Sequence, residues 1–447
     1  MRARIGCCVL FGSAIVFVPI NDVSLVASAA YHVSAETQAV YLALGAHPLF
    51  QQGLAFLQKD HENTIADQKA IAAIPAPPFK EQARAEDFRK RLAALNLINV
   101  GIDGEGSVCG MRPGRAKGPP LLVEAHLDTV FPEGTNTGPV ERNGTLYGPG
   151  IMDDARGLAA LLSVVRALNA TGIRSVGDML FCGTVGEEGL GNLRGMKALF
   201  RDRPAIVGSV SIDGTTANRI TYLATGSQRY EIAYTGPGGH SFDAFGTPSA
   251  IHAMGRAIAK IADLRTPLSP KTTFTVGTVT GGTSVNTIAA AATMFIEMRS
   301  NSQAELARLV ARILQIAQQA ADEENARWGS NTIQATITLR GNRPPGSQPA
   351  AAAIVQAAWM ATIAIGQQPH LIESSSTNAN LPISLGVPAI TIGGGGRGGR
   401  EHSQAEWFNP KEAYLGPQMI YATVLGLAGV DGVSQPILPG AGGLKPE

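Results

Sequence analysis

The run Leu180-Phe-Cys-Gly-Thr-Val-Gly-Glu-Glu-Gly-Leu-Gly191 places two adjacent glutamates directly after a short apolar segment. The apolar residues predict a buried strand, and the glycines around the pair predict a turn at the end of that strand. One carboxylate of such a pair can bind a metal ion, while its neighbour stays free to move a proton. The stretch therefore predicts a sheet edge that carries a candidate site for metal binding and proton transfer.

Strands and helices alternate on both sides of this turn. Strands are predicted near 106–111, at 121–125, at 179–182 and near 206–212, and an amphipathic helix is predicted from Asp154 to about Ala170. Residues from Glu36 to about Leu97 have a helical pattern. The alternation predicts an α/β catalytic domain with a mostly parallel central sheet flanked by helices. Side chains at the carboxyl ends of such strands meet at one rim, where open α/β sheets bind ligands.

The order of predicted strands and helices changes between about Thr221 and Pro345. It runs strand, helix, two strands, helix, strand, which predicts an inserted ferredoxin-like α+β lid domain. The α/β pattern then resumes, with a helix near 350–365, a strand at 389–392 and a helix from Pro410. The predicted segments are a catalytic domain in two parts (30–220 and 346–428), a lid (221–345) and a Gly- and Pro-rich loose tail (429–447).

The charge balance limits the kind of partner. The 447 residues contain 36 Lys plus Arg against 35 Asp plus Glu, so no excess charge indicates nucleic acid or an anionic membrane surface. A small-molecule substrate is the better expectation.

The first 29 residues have the layout of a signal peptide. Arg2 and Arg4 precede an apolar stretch at 5–18, and Ala27-Ser28-Ala29 is a cleavage-type triplet. The stretch is shorter than the roughly 20 residues of a membrane span. We therefore expect a secreted or periplasmic protein with no stable membrane association after cleavage, and an uncleaved N-terminal anchor is the alternative.

Two cysteines, Cys109 and Cys182, would remain in the mature chain. Two cysteines allow one disulfide. Both lie in predicted strands, so a pair of buried free thiols is at least as good an interpretation.

Three candidate ligands can each be explained in two ways. His126 follows the strand at 121–125, so it could bind a metal while Asp128 orients its imidazole, or it could be a structural histidine. Asp153 precedes a helix, where aspartate usually serves as an N-cap. Asp213 ends a strand and precedes Gly214, which also fits an ordinary turn.

Taken together, these pieces resemble the M20 family of zinc peptidases and amidohydrolases over most of the predicted mature chain. The matching segments are Ala125–Val130, Gly148–Asp154, Gly186–Gly189, Ser211–Gly214 and Glu401–Ser403.

The resemblance implies a site with two zinc ions. Asp153 would bridge the two ions. His126 and Asp213 would complete one of them, and Glu188 and His402 the other. The remaining glutamate of the pair, Glu187, would be the general base. The chemistry agrees, because carboxylates and imidazoles suit Zn²⁺.

The resemblance also assigns roles to three lid residues. His240, in Gly238-Gly-His-Ser241, is similar to a lid histidine that stabilises the oxyanion and comes from the partner subunit in dimeric members. It therefore allows a homodimer through the lid, with a solvated loop histidine as the alternative. Asn286 and Arg299 resemble residues that hold a substrate carboxylate, and a surface salt bridge is the alternative for Arg299.

Three positions depart from the family pattern. Asn378 stands where Asp is expected, Glu401 stands where a small residue is common, and Ala155-Arg156 replaces a usual Lys-Gly. None of these changes removes a predicted ligand. The first two are expected to affect the surroundings of the metals and the specificity.

The sequence thus predicts a zinc-dependent exopeptidase that hydrolyses short peptides. An amidohydrolase of N-acyl amino acids would use the same residues and is the nearest alternative. A binding protein of the same fold without catalysis is a third hypothesis, and the presence of Glu187 argues against it.

Overall fold

The computed structural model describes residues 31–203, 205–438 and 440. The predicted signal peptide, residues 1–29, lies outside the described residues. The chain from Val33 onward forms one compact unit. Within the described part, no helix has both the length and the apolar character needed to cross a membrane.

The predicted N-terminal helical region is a series of four helices, and further helices follow the strands. The helices of the described residues are α1 (Ala35–Ala46), α2 (Pro48–Lys59), α3 (His61–Ala72), α4 (Gln82–Ala94), α5 (Ala155–Thr171), α6 (Arg194–Asp202), α7 (Ala250–Ala262), α8 (Gln303–Arg327), α9 (Ala353–Ala364), α10 (Asn380–Ser384) and α11 (Leu415–Ala428).

The strands of the described residues form one large sheet and three smaller ones. They are β1 (Ile98–Ile102), β2 (Val108–Arg112), β3 (Leu121–His126), β4 (Val140–Arg142), β5 (Thr145–Tyr147), β6 (Met179–Thr184), β7 (Gly208–Ile212), β8 (Arg219–Ala224), β9 (Gly226–Thr235), β10 (Gly239–His240), β11 (Thr272–Gly281), β12 (Thr287–Ile288), β13 (Ala291–Ser300), β14 (Gln334–Arg343), β15 (His370–Ser375), β16 (Ala389–Ile392), β17 (Arg397–Gly399) and β18 (Trp407–Asn409).

The large sheet has eight strands in the order β1-β2-β6-β3-β7-β16-β8-β15. Its four inner strands, β6, β3, β7 and β16, are all parallel. These inner strands are buried, because helices such as α5 cover the sheet. The predicted α/β fold with a mostly parallel central sheet is confirmed.

The inserted segment forms its own antiparallel sheet in the order β11-β13-β9-β14. Helices α7 and α8 lie on one face, and Ile232, Met294 and Ile313 belong to the core between sheet and helices. Ser302 caps α8 by accepting a hydrogen bond from the amide of Glu305. The order of strands and helices is that of the predicted ferredoxin-like lid.

Helix α5 leads away from the carboxyl edge of the sheet. Asp154 caps it by accepting a hydrogen bond from the Gly157 amide, and Gly172 ends it in the left-handed conformation. The residues from Ala155 to Val165 are buried, so packing fixes the start of the helix and the residue before it, Asp153.

Three strands of the large sheet, β1, β8 and β15, have no counterpart in the sequence-based prediction. Several residues of β8 are only half-buried, and its sequence, Arg-Ile-Thr-Tyr-Leu-Ala, shows no clean alternation. The predicted loose tail is also wrong for its first ten residues. Val430 and Leu438 are buried, and the amide of Val176 donates to the carbonyl of Gly429.

Cys109 and Cys182 form a disulfide, so of the two interpretations left open by the sequence, the bridge is right and the pair of buried free thiols is wrong. The two residues lie directly opposite each other on the antiparallel strands β2 and β6. Both are buried beneath the cluster formed by Met196 and Leu199 of α6. The bridge ties the antiparallel edge of the sheet to the strand that precedes the two glutamates.

Reduction of this disulfide is expected to lower the free energy of unfolding by up to about 4 kcal/mol, because the bridge closes a long loop in the unfolded chain. The two cysteines are separated by 73 positions. Urea unfolding with and without a reductant measures the effect. The double variant Cys109→Ser/Cys182→Ser is the control and should not respond to the reductant. Equal stability of oxidised and reduced wild-type protein would contradict the expectation.

Candidate metal and catalytic site

The predicted ligands gather at the carboxyl edge of the parallel strands. His126 is the last residue of β3, Glu188 follows β6, and Asp213 follows β7. Asp153 stands just before α5, and His402 lies in the connection between β17 and β18. Because β6, β3 and β7 are parallel neighbours, their ends bring these side chains to one place.

Asp153 lies between the two histidines. Its Oδ1 is 2.9 Å from Nε2 of His126, and its Oδ2 is 3.0 Å from Nε2 of His402. His402 Nε2 is also 2.9 Å from Oε1 of Glu188. A carboxylate with one imidazole on each oxygen has the geometry needed to bridge two cations.

The donor atoms fit metal binding. Potential ligand atoms of His126, Asp153 and Asp213 lie within 4.8 Å of one another, as do those of His126, Glu187 and Glu188. Two ligands of a tetrahedral zinc, each about 2.0–2.1 Å from the ion, are about 3.3 Å apart, close to the distances around Asp153. The donors are imidazoles and carboxylates, which suit Zn²⁺ and other first-row divalent ions.

The electrostatics also indicate a cation site. Hydrogen bonds to Asp153 and Glu188 raise the pKa of His402 to about 11. Burial raises the pKa of Glu188 to about 7, and the neighbouring charges of Glu187 and Asp153 act in the same direction. Burial and the charge of Asp153 raise the pKa of Asp213 well above its usual value. This crowding of carboxylates stabilises bound protons, which a metal ion would displace.

Asp128 holds the two glutamates rather than only the imidazole. Its Oδ1 accepts from the Glu187 amide at 3.1 Å, and its Oδ2 accepts from the Glu188 amide at 2.7 Å. Nδ1 of His126 is 2.9 Å from the backbone carbonyl of Asp128, whereas the carboxylate is 3.8 Å away. Asp128 thus orients the imidazole through its backbone carbonyl.

The segment before α5 fits both interpretations, but in adjacent residues. Asp154 is the N-cap, and Asp153 is the candidate ligand. Asp154 caps α5 and also accepts from the amide of His126 at 3.1 Å. Asp153 is left to face the histidines. Glu406 supports the same loop, because its carboxylate accepts from the amides of Gly150, Met152 and Asp153. Burial raises the pKa of Glu406 to about 7.

Glu187 is bound by a lid residue that the sequence analysis missed. Nη1 of Arg343 donates to Oε1 of Glu187 at 2.8 Å, and Nη2 donates to the Glu187 carbonyl. Arg343 is 3% exposed. No motif surrounds it, and the only local signal is Pro344-Pro345, which marks the end of the preceding strand.

Asn378 and Glu401, two of the departures from the family pattern, have different surroundings. Asn378 is buried, and its Nδ2 donates to Oε2 of Glu124 at 2.8 Å and to Oγ1 of Thr184 at 2.9 Å. An amide can donate to the buried Glu124, whereas an ionised aspartate would repel it. Glu401 forms a further potential metal group with Asp153 and His402.

The lid residues His240 and Asn286 lie side by side. Strands β10 and β12 pair there, and the amide of Ser241 donates to the Asn286 carbonyl at 3.0 Å. The His240 side chain is 54% exposed, and its Nδ1 lies 3.4 Å from Oδ2 of Asp243. Among the described residues, neither His240 nor Asn286 has a hydrogen bond or ion pair with the five predicted metal ligands.

Arg299 forms an ion pair with Glu297, as expected from the alternative to a role in substrate binding. Its Nε and Nη2 both donate to the carboxylate of Glu297, at 2.9 and 3.0 Å. Glu297 also accepts from Arg229, which in turn donates to the carbonyl of Gly189. Arg299 is thereby linked to the turn that carries the two glutamates.

Known proteins are similar to this chain in sequence and in fold. Succinyl-diaminopimelate desuccinylase of Nitrosospira multiformis is 26% identical over 269 residues, which cover 55% of this chain and 71% of that protein. A tripeptidase of Staphylococcus aureus superposes with a TM-score of 0.67 at 20% identity, covering 81% of this chain and 97% of that one. A protein of Bacillus subtilis, described as a dinuclear metal-binding M20 peptidase, gives a TM-score of 0.60 at 17% identity, with coverages of 83% and 99%.

The profile of Peptidase family M20/M25/M40 matches residues 122–426, which is more than half of the chain. This range contains the predicted metal ligands, the glutamate pair and the whole lid. The chain therefore belongs to peptidase family M20/M25/M40 and is a hydrolase that acts on amide bonds.

Proposed function

We propose that the protein is a zinc-dependent exopeptidase that hydrolyses short peptides, with two zinc ions and Glu187 as general base. The observation that carries this proposal is the position of Asp153 between His126 and His402, with a glutamate pair beside it. His126 and Asp213 would hold one ion, and Glu188 and His402 the other. Asp153 would hold both.

Zinc bound there would supply an acidified water, with a pKa near 7, and would polarise the scissile carbonyl. Glu187 would take a proton from the water that attacks the carbonyl carbon. The same carboxylate passes the proton to the leaving nitrogen when the C–N bond breaks. Asp128 supports both steps, because its carboxylate fixes the backbone of Glu187 and Glu188.

The lid would bind the substrate carboxylate. Arg299 presents a planar fork suited to a carboxylate, and Asn286 can donate through its amide. Arg299 is 41% exposed on its side chain, so a ligand can reach it. To bind a substrate carboxylate, Arg299 would have to break one of its two hydrogen bonds to Glu297 or donate to both carboxylates.

His240 would stabilise the oxyanion from the partner subunit of a homodimer. Two apolar side chains beside it support such a partner, since Phe242 is 83% exposed and Phe245 is 78% exposed. Neighbouring exposed aromatic side chains usually indicate an interaction surface. Sedimentation analysis tests this point, and a monomer that is fully active would contradict it.

An amidohydrolase of N-acyl amino acids is the second candidate. The name of the Nitrosospira relative, a desuccinylase, favours it. Such an enzyme would use the same metal ligands and the same base, so only the substrate distinguishes the two proposals. A non-catalytic binding protein is less consistent with a buried glutamate beside the metal ligands.

The test is a substrate panel with the zinc-loaded full-length protein. The matched compounds are Ala-Ala, acetyl-Ala-Ala, succinyl-Ala and Ala-Ala-amide. Cleavage of Ala-Ala with a raised KM for Ala-Ala-amide supports an exopeptidase that holds a carboxylate. Faster hydrolysis of succinyl-Ala supports the amidohydrolase. Metal binding without hydrolysis of any compound supports the binding protein.

We also propose that the mature protein acts in an oxidising compartment, either secreted or in a periplasm. The Cys109–Cys182 disulfide supports export, because such bridges persist mainly in oxidising environments. N-terminal sequencing of the exported protein tests the proposal. A mature N-terminus close to residue 30 is expected, and retention of the unprocessed chain in the cytosol would contradict it.

A further inference from the structure

Arg343 belongs to the lid by sequence but to the catalytic site by position. It is the last residue of β14, at the edge of the lid sheet. Its guanidinium bonds both the carboxylate and the carbonyl of Glu187, and its Nη1 is 3.3 Å from Oγ of Ser376. Two bonds from one planar group to one residue fix the direction of that residue's side chain.

Glu187 has two competing roles in this site. Its carboxylate can join His126 and Glu188 as a metal-binding group, since their ligand atoms lie within 4.8 Å of one another. A glutamate that becomes a ligand can no longer act as a free base. Whether Glu187 binds metal or moves a proton therefore depends on what holds its carboxylate away from the ions.

Arg343 is the described cation that pairs with the Glu187 carboxylate. The pair is buried, with side-chain exposures of 4% and 6%, so water screens it little. Only Oε1 is engaged in this way, and Oε2 accepts no hydrogen bond from the described residues.

We propose that Arg343 is a positioning residue that keeps Glu187 out of the metal coordination and available as the base. This inference rests on the proposed function.

Further contacts join the same lid edge to the turn after β6. The amide of Asn342 donates to Oδ1 of Asn192 at 2.7 Å, and Nζ of Lys197 donates to the Asn342 carbonyl at 3.1 Å. Arg229 of the neighbouring strand β9 donates to the carbonyl of Gly189. The lid thus contacts Glu187 itself and the residues that follow the glutamate pair, and the position of the base depends on the position of the lid.

A substrate-binding role for Arg343 is the main rival. The two roles predict different kinetics. Loss of a residue that binds substrate raises KM with little change in kcat, whereas loss of one that positions the base lowers kcat. Arg343→Ala is therefore compared with Arg340→Ala. Arg340 lies three residues earlier on β14 and pairs with Glu231 at the surface, which makes it a matched control.

The kinetic arm uses the zinc-loaded full-length protein and the best substrate of the panel. Arg343→Ala is expected to lower kcat about 10- to 100-fold with unchanged zinc content. Arg343→Lys keeps the positive charge but lacks the planar guanidinium, so its kcat should lie between those of wild type and Arg343→Ala. Guanidinium ion added to Arg343→Ala should restore part of kcat, but it should not affect Arg340→Ala. A raised KM with normal kcat, or loss of zinc, would overturn the proposal.

A spectroscopic arm does not require activity. With Co²⁺ in place of zinc, the visible absorption of Arg343→Ala should differ from that of the wild type, because Glu187 becomes a ligand. The double variant Arg343→Ala/Glu187→Gln should return to the wild-type spectrum. An Arg343→Ala spectrum identical to wild type overturns the inference. If the wild type hydrolyses nothing on the panel, the proposed function fails, and this spectrum still decides whether Arg343 controls the coordination of Glu187.

Discussion

Glu187→Gln is expected to lower kcat by about two to four orders of magnitude while the protein keeps its metal. Glutamine preserves the size of the side chain and can still accept a hydrogen bond from Arg343, so the local packing should persist. It cannot take a proton from water. The predicted ligands, among them Glu188 and His402, are untouched, so metal analysis by mass spectrometry should find the same amount per chain as in wild type.

The surface variant Glu36→Gln is the control for this experiment, because Glu36 is exposed on α1 far along the chain from the site. It should match wild type in kcat and in metal content. A Glu187→Gln enzyme that keeps a tenth or more of its turnover would rule out the assignment of Glu187 as base. Loss of metal in this variant would instead indicate that Glu187 is a ligand.

Asp153→Ala is expected to have the larger effect, a loss of both metal ions and of activity by about four orders of magnitude or more. The reason is the position of Asp153, whose two oxygens face His126 and His402 separately. On the proposed assignment, removing this carboxylate would take a ligand from both ions at once. His402→Ala should remove a ligand from one ion only.

Metal content per chain after dialysis against a weak chelator measures this difference. The expected order is wild type, then His402→Ala, then Asp153→Ala. The surface variant Asp202→Ala is the control, since among the described residues Asp202 forms an ion pair with the adjacent Arg201 at the surface. Retention of two equivalents by Asp153→Ala would show that this residue does not bridge the metals.

The parts of the fold that could be predicted are those in which local pattern and tertiary packing agree. The buried strand β3 ends at His126, and β6 ends just before the glutamate pair, so apolar runs alone located the rim of the sheet. The lid could be predicted because Ser302 is an N-cap residue at the start of α8 and the helix has a regular apolar stripe.

The unpredicted parts depend on distant contacts. Arg343 reaches Glu187 across 156 positions, and nothing in its neighbourhood in sequence signals that pair. Glu406 bonds a loop more than 250 positions away. The cysteine pair was ambiguous for the same reason, because only the register of β2 against β6 places Cys109 opposite Cys182.

The place of the lid in the chain has a consequence for the order in which the protein is made. Strand β16, which sits between β7 and β8 in the large sheet, follows the entire lid in sequence, and so does His402. A nascent chain that has just finished the lid holds four of the five proposed ligands and lacks a central strand of its sheet. Long-range strand pairing of this kind closes late. A hydrolytic centre therefore cannot be completed on a partly synthesised chain, and an amide-cleaving activity would arise only after the last quarter of the polypeptide has folded into place.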